Sequence, residues 1–250
     1  MDRVFRQADK SIEDILHVAV VIAEPIVNQR HTGIAYRVAA NDPYQFLHLA
    51  GHCRLYRDST IDNAYCWVTP SINPRRLIQL AGICDAIANE NPQSSIRYGL
   101  SSPIGVFDKT TKKFLLGPTE GGLTCASFVL AVFEVAQLQL VEYSGWPAPD
   151  TEDYLWQEVV CNHLQELRRK QPHLVSAEHL DCVRNDLGTS TRFRPEQVAG
   201  AAAIRDRSPV KYKYARAIGR DVVRYLRGEQ PANEFRLSLW DRVKQMMGLL

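Results

Sequence analysis

The chain has 250 residues, of which 45% are hydrophobic and 23% charged, which excludes a disordered polypeptide and allows one generous core or a core with a smaller annex. The formal net charge is only +2, but residues 184–250 hold 14 Lys/Arg against 7 Asp/Glu, so a basic C-terminal part follows a mildly acidic remainder. No apolar run approaches the ~18 residues needed to cross a bilayer, which excludes a helical membrane span.

At the N-terminus Arg3, Arg6 and Lys10 are followed by Glu13 and Asp14, and the short run Ile15–Ala23 leads to Glu24-Pro25 rather than to small residues that a signal peptidase would cut. A cytoplasmic location is expected, with export that uses no cleavable signal left open. Six cysteines without a C-x-x-C pair agree with a reduced interior.

The early part is strand-rich. Leu16–Ile22 is apolar with valines, Thr32–Val38 gathers β-formers around Gly33, Tyr44–Leu49 follows the turn Asn41-Asp42-Pro43, and Cys53–Tyr56 and Tyr65–Thr69 have the same character. A helix begins at Asn73-Pro74, a capping residue followed by proline at the first position, and its apolar residues from Leu77 to Ala88 recur at helical spacing as far as Asn91-Pro92. Ser94–Pro118 is loop-rich, with a charged turn at Asp108–Lys113 that suggests a hairpin. A second helix starts near Cys125 and is apolar on nearly every face to Leu140, which predicts burial on most sides. The linker Ser144–Pro149 separates a core, residues 1–145, from a basic extension, residues 146–250, expected as helices over Glu152–Arg169, Ser176–Arg184, Pro195–Arg205 and Val210–Arg227.

Chemistry concentrates at Gly121-Gly122-Leu123-Thr124-Cys125, where a glycine pair delivers a thiol to the first turn of the apolar helix. Free N–H groups and the positive end of the helix dipole favour a thiolate there, below the ordinary thiol value of about 8.5, and the same N–H groups can hold an oxyanion. A thiol nucleophile also needs an imidazole within reach and a third polar group that fixes the imidazole tautomer. His31 opens the segment with Gly33, and His48 lies among apolar neighbours in Phe46-Leu47-His48-Leu49. If their strands pair, the two rings lie side by side.

The order His31-Thr32-Gly33-Ile34, then Trp67-Val68-Thr69-Pro70 running into a helix to Ala88, then Arg97-Tyr98-Gly99-Leu100, then Leu123-Thr124-Cys125-Ala126-Ser127-Phe128-Val129 resembles the circularly permuted papain-like cysteine hydrolases, relatives of the NlpC-type peptidases that include lecithin:retinol acyltransferase-like enzymes. The resemblance covers residues 15–142. It implies an α+β fold, a permuted papain-like core of antiparallel sheet packed on a central cysteine-bearing helix, with a helical C-terminal extension. It also implies Cys125 as nucleophile, His31 as base and then acid, and His48 as the residue that orients His31. The 17-residue step from His31 to His48 is longer than in the acyltransferase-like members. If the turn at residues 41–43 does not absorb the difference, His52 becomes the third residue. Tyr98 is a candidate second oxyanion donor, and no cofactor is implied.

Plainer readings stand beside these. Cys125 can be a small core residue, and His31 and His48 can be satisfied strand histidines. The cluster His48, His52 and Cys53 invites zinc but lacks a fourth ligand and reads better as strands around Gly51, so no metal is expected. Three functions follow: a cysteine amidase, peptidase or isopeptidase acting through an acyl-enzyme, which is preferred; a thiol acyltransferase or lipase on acyl esters; and a non-enzymatic binding module. The substrate is a peptide, isopeptide or acyl group, and an anionic partner is conceivable at the basic C-terminal region. The stripe Tyr212, Tyr214, Val222, Val223, Tyr225 and Leu226 faces either a membrane surface or the main core.

Overall fold

The computed structural model describes residues 4–6, 9–204 and 209–229. Six antiparallel strands form one sheet: β1 (Val4–Arg6), β2 (Val18–Ile26), β3 (Gln29–Tyr36), β4 (Gln45–Leu49), β5 (Leu55–Asp58) and β6 (Cys66–Val68), in the spatial order β1-β6-β2-β3-β4-β5. The strand β1 had no counterpart in the sequence reading, and the others begin or end a few residues from their expected bounds. Among the described residues six α-helices complete the α+β fold: α1 (Pro74–Glu90), α2 (Cys125–Val135), α3 (Thr151–Lys170), α4 (Ala177–Asn185), α5 (Pro195–Ile204) and α6 (Tyr212–Leu226). Among the described residues no helix is long and apolar enough to cross a membrane.

Both faces of the sheet are covered, which is why β2 reads as an unbroken apolar run rather than an alternation. Val18, Val20, Ile22, Ile34, Leu47 and Val68 face the helices. Ala19, Val21, Ala35, Phe46 and Trp67 face the other way, under Ile12, Ile15, Tyr44 and Ile61. The helix α1 starts as its sequence predicts, with the Asn73 side chain accepting from the Arg75 N–H and Pro74 in the first turn.

The helix α2 is capped reciprocally by Thr124 and Ser127, and of its residues only Glu134 escapes full burial. It ends at Val135 rather than Leu140. Gln137 adopts a left-handed φ of 55°, its N–H donates to the Glu134 carbonyl, and the Leu138 N–H reaches back to the Phe133 carbonyl. That pair of bonds is a Schellman stop made without the glycine that usually announces one. Leu138 and Leu140 stay buried in extended chain.

The helices after Ser144 divide into two groups. Val160, Cys161, Leu164, Val175, Leu180 and Val183 of the α3–α4 region form a small cluster with Leu100. Val198, Ala199 and Ala202 of α5 and Ala215, Ile218 and Val222 of α6 instead belong to the same core as the strands. Gly200 and Gly219 let α5 and α6 touch backbone to backbone, since a Cβ at Gly200 would lie 2.7 Å from the Gly219 nitrogen. The face of α6 that packs inward is Ala215, Ile218, Gly219 and Val222; Tyr212, Tyr214, Tyr225 and Leu226 rest partly buried against the same core, and Val223 is half-buried, so most of the expected stripe is turned to the core.

Candidate active site

The loop before α2 is built for close backbone contact. Leu123 N–H donates to the Arg97 carbonyl and Ser101 N–H to the Gly122 carbonyl, both at 2.9 Å. A Cβ at Gly122 would lie 2.3 Å from the Arg97 oxygen, so only glycine lets the two segments zip together and present Cys125 as the first residue of α2.

The Cys125 thiol is buried, and burial is the largest influence on it, pushing its pKa up. The Thr32 backbone N–H, the Tyr98 hydroxyl and the Ala126 and Cys125 N–H groups act on the sulfur in the opposite sense. The expectation of a depressed thiol pKa is thus not met in the resting site: the helix-start donors are present, but desolvation outweighs them.

The β3–β4 ladder runs from Tyr36 opposite Gln45 to Ile34 opposite Leu47 and stops there. Beyond it His48 leans over Gly33, where an added Cβ would meet the His48 Cβ at 2.6 Å. The His31 and His48 rings meet edge to face, with His31 Nε2 2.8 Å from His48 Nδ1. His48 stacks on Phe46 at 4.2 Å and places its Nε2 2.8 Å from Asp58 Oδ2.

This order fixes the tautomers. The Asp58 carboxylate only accepts, so His48 Nε2 carries the proton, the neutral ring accepts at Nδ1, and the donor to it is the His31 Nε2–H. His31 Nδ1 is left with the lone pair. Burial, and secondarily the nearby His48, lower the His31 pKa to about 4. His48 is also lowered by burial, with Asp58 opposing.

His31 and His48 alternate along their strands with residues of the helix-facing core, so their side chains share the face of Ala35 and Phe46, opposite α2. Among the described residues no hydrogen bond joins the His31 ring to the Cys125 sulfur. The strand break connects the two faces. Thr32, next to His31 and without a partner in β4, turns its N–H to the sulfur. Tyr65, whose ring centre lies 6.5 Å from that of His31, has its pKa raised to about 12 by burial and then by the charge of Cys125. Cys125 is therefore in contact with the Thr32 backbone of β3 and near Tyr65, while His31 itself points to the other face.

His52 takes no part in this. It donates from Nε2 to the Leu174 carbonyl at 2.9 Å, its ring lies 5.0 Å from His179, and burial lowers its pKa to about 4. The imidazole in contact with His31 is that of His48. Tyr98, the candidate oxyanion donor, is half-buried with its hydroxyl beside both the sulfur and the Cys125 N–H. Its backbone is held from the annex, because His179 on α4 sits between the Tyr98 carbonyl at 3.1 Å and the Glu120 carbonyl at 2.7 Å.

The sequence reading missed Asp58, Thr32 and Tyr65. A signal for Asp58 existed: the turn after Gly51 pairs His48 with Tyr56, which puts the residue two positions on, Asp58, diagonally beside His48 on the same face. Among the described residues no group of three or more His, Cys, Asp or Glu is placed to hold a metal ion, and the cysteines are free thiols. Compared with family models, with curated proteins and with solved structures, the chain matches none of them.

Proposed function

We propose that the protein is a cysteine-dependent hydrolase of the amidase, peptidase or isopeptidase class, built on a permuted papain-like core, with Cys125 as nucleophile and His31 as base. The observation that carries this reading is the hydrogen-bonded series Asp58–His48–His31, which leaves a lone pair on His31 Nδ1, together with the contact of the neighbouring Thr32 N–H with the Cys125 sulfur at the head of α2. Structural histidines rarely need a second histidine and a carboxylate aligned behind them; a base that must become an imidazolium does.

The resting pair is thiol and imidazole. As the sulfur attacks the substrate carbonyl carbon, the S–H proton passes to His31 Nδ1 and the C=O π pair moves to oxygen, where the Cys125 N–H and the Tyr98 hydroxyl are the donors at hand. The charge on His31 spreads through its Nε2–H to His48 and on to Asp58. His31 then protonates the leaving nitrogen as the C–N bond breaks, leaving a thioester. Water gives a proton to His31 and attacks the thioester, and the sulfur departs and recovers its proton. Amides are preferred over lipid esters because the apolar stripe of α6 is spent on α5 and the sheet, leaving no lipophilic rim on that helix.

Peptide anilides, an isopeptide-linked peptide and a fatty-acyl ester, assayed with wild type, Cys125→Ala and His31→Ala, separate the readings. Amide turnover lost in both variants, with a thioester trapped on Cys125, supports the hydrolase. Turnover of esters alone assigns an acyltransferase or lipase, and no turnover with no adduct leaves a binding module.

A further inference from the structure

A cleft of about 490 Å³ opens between the start of β3, the start of α3, the start of α5 and one face of α6. Its lining is charged: Arg30, Arg194, Arg216, Arg220, Arg224 and Arg227 converge on it. Four carboxylates also border it, and each lies beside an arginine of the cleft. Asp150 and Glu152 pair with Arg194 at 3.6 and 3.0 Å, Glu196 pairs with Arg30 at 3.3 Å, and the charge of Glu229 acts on Arg227.

Arg224 reaches Asp221, and Arg227 reaches Glu24 at 2.8 Å. Arg216 and Arg220 are left over: both are exposed, and among the described residues neither has an ion pair or hydrogen bond to a carboxylate. They stand one helical turn apart on the same face of α6, a separation of roughly 6 Å between Cβ atoms.

Two unpaired guanidinium groups at this spacing, beside four more arginines, repel one another until an anion arrives. Each presents a planar fork of N–H donors that matches phosphate oxygens in pairs. The volume suits a small molecule or a single head group rather than a duplex groove or a flat protein surface. We infer that this cleft is a binding site for a phosphate-bearing ligand, held by Arg216 and Arg220 and oriented by Arg30 and Arg194. The site stands apart from the thiol chemistry, and neither reading depends on the other. The buried apolar side of α6 favours a soluble phosphoanhydride over a lipid head group, since no apolar stripe remains on that helix to enter a bilayer.

Calorimetric titration of the full chain with inorganic pyrophosphate at low salt tests this. Wild type should bind, Arg216→Ala and Arg220→Ala should each weaken binding about tenfold or more, the double variant should abolish it, and Arg184→Ala on α4, an equal loss of charge elsewhere, should leave it unchanged. All four variants alter exposed residues, and an unchanged thermal melt confirms that each is folded. Sedimentation with phosphatidylcholine vesicles, with and without phosphatidic acid, reads the source of the phosphate. Binding to phosphatidic acid that Arg216→Ala and Arg220→Ala abolish, with none to pyrophosphate, keeps the site and assigns it to a lipid head group. Pyrophosphate binding that survives the double variant, that falls equally in Arg184→Ala, or that is absent together with vesicle binding overturns the inference.

Discussion

A single methyl group at position 33 should disable the site without touching a reacting atom. In Gly33→Ala the new Cβ would lie 2.6 Å from the His48 Cβ, 2.6 Å from the Phe46 ring and 2.8 Å from the Leu47 carbonyl oxygen. Carbon atoms rest at about 3.5–4.0 Å, so β4 must retreat by about 1 Å, and none of these neighbours is the free end of a flexible side chain. Overpacking of this kind costs about 1–3 kcal/mol. At roughly 2–4 °C per kcal/mol for a chain of this size, the melting temperature should fall by about 2–12 °C. The 2.8 Å contact from His31 to His48 would open beyond hydrogen-bond range, so turnover should fall further than stability alone explains. Gly82→Ala is the matched control: Gly82 sits within α1, where an added Cβ meets nothing within 4 Å apart from the helix's own neighbouring backbone, and alanine there should raise stability by about 0.5–1 kcal/mol. Differential scanning fluorimetry reads both. A Gly33→Ala protein that melts with wild type and keeps its activity refutes the account of how the strands present His48.

Asp58→Asn removes the charge behind His48 and frees its tautomer, so kcat/KM should fall about 10–100-fold while the melting temperature stays within a degree or two, because Asp58 is half exposed. Tyr98→Phe should lower kcat about 100-fold through the lost hydroxyl donor, and, with one donor fewer at the sulfur, the Cys125 thiol should titrate higher still, which ultraviolet thiolate absorbance measures. His52 predicts an acid sensitivity. Its folded pKa of about 4 lies below the unfolded value of about 6.5, so the unfolded chain binds the extra proton first; the stability present above pH 6.5 is lost as pH falls towards 4, by about 3 kcal/mol. Urea midpoints at pH 7 and pH 4.5 should therefore lie closer together in His52→Phe than in wild type, and equal gaps would count against it.

What the sequence disclosed follows how local each signal was. The start of α1 is announced by Asn73-Pro74 and the position of Cys125 by its glycines and threonine cap, because each device acts within a few residues. The end of α2 was hidden because Gln137 takes a conformation usually left to glycine. The pairing of His31 with His48 was legible as a consequence of adjacent strands, whereas Asp58 required the register of the next hairpin. Least legible was the balance at the sulfur. The helix-start donors can be read from residue types, but the burial that outweighs them, like the opposing donors Thr32 and Tyr98, is set by distant parts of the chain closing around Cys125. The expected separation at residue 145 likewise rested on linker composition, and no linker reveals that α5 and α6 return to the sheet while α3 and α4 gather around Leu100.

The rate of Cys125 alkylation by iodoacetamide as a function of pH, located by peptide mass spectrometry in wild type and in His31→Ala, bears most directly on whether His31 takes the thiol proton. With the thiol raised and His31 lowered to about 4, both proteins should react faster as the pH rises and the thiol ionises, but at neutral pH the wild type should react faster than His31→Ala because neutral His31 takes the proton as the sulfur attacks, and that excess should vanish as the pH falls through about 4. Superimposable profiles in the two proteins, both rising only at alkaline pH, would contradict the assignment of His31 as the base for Cys125.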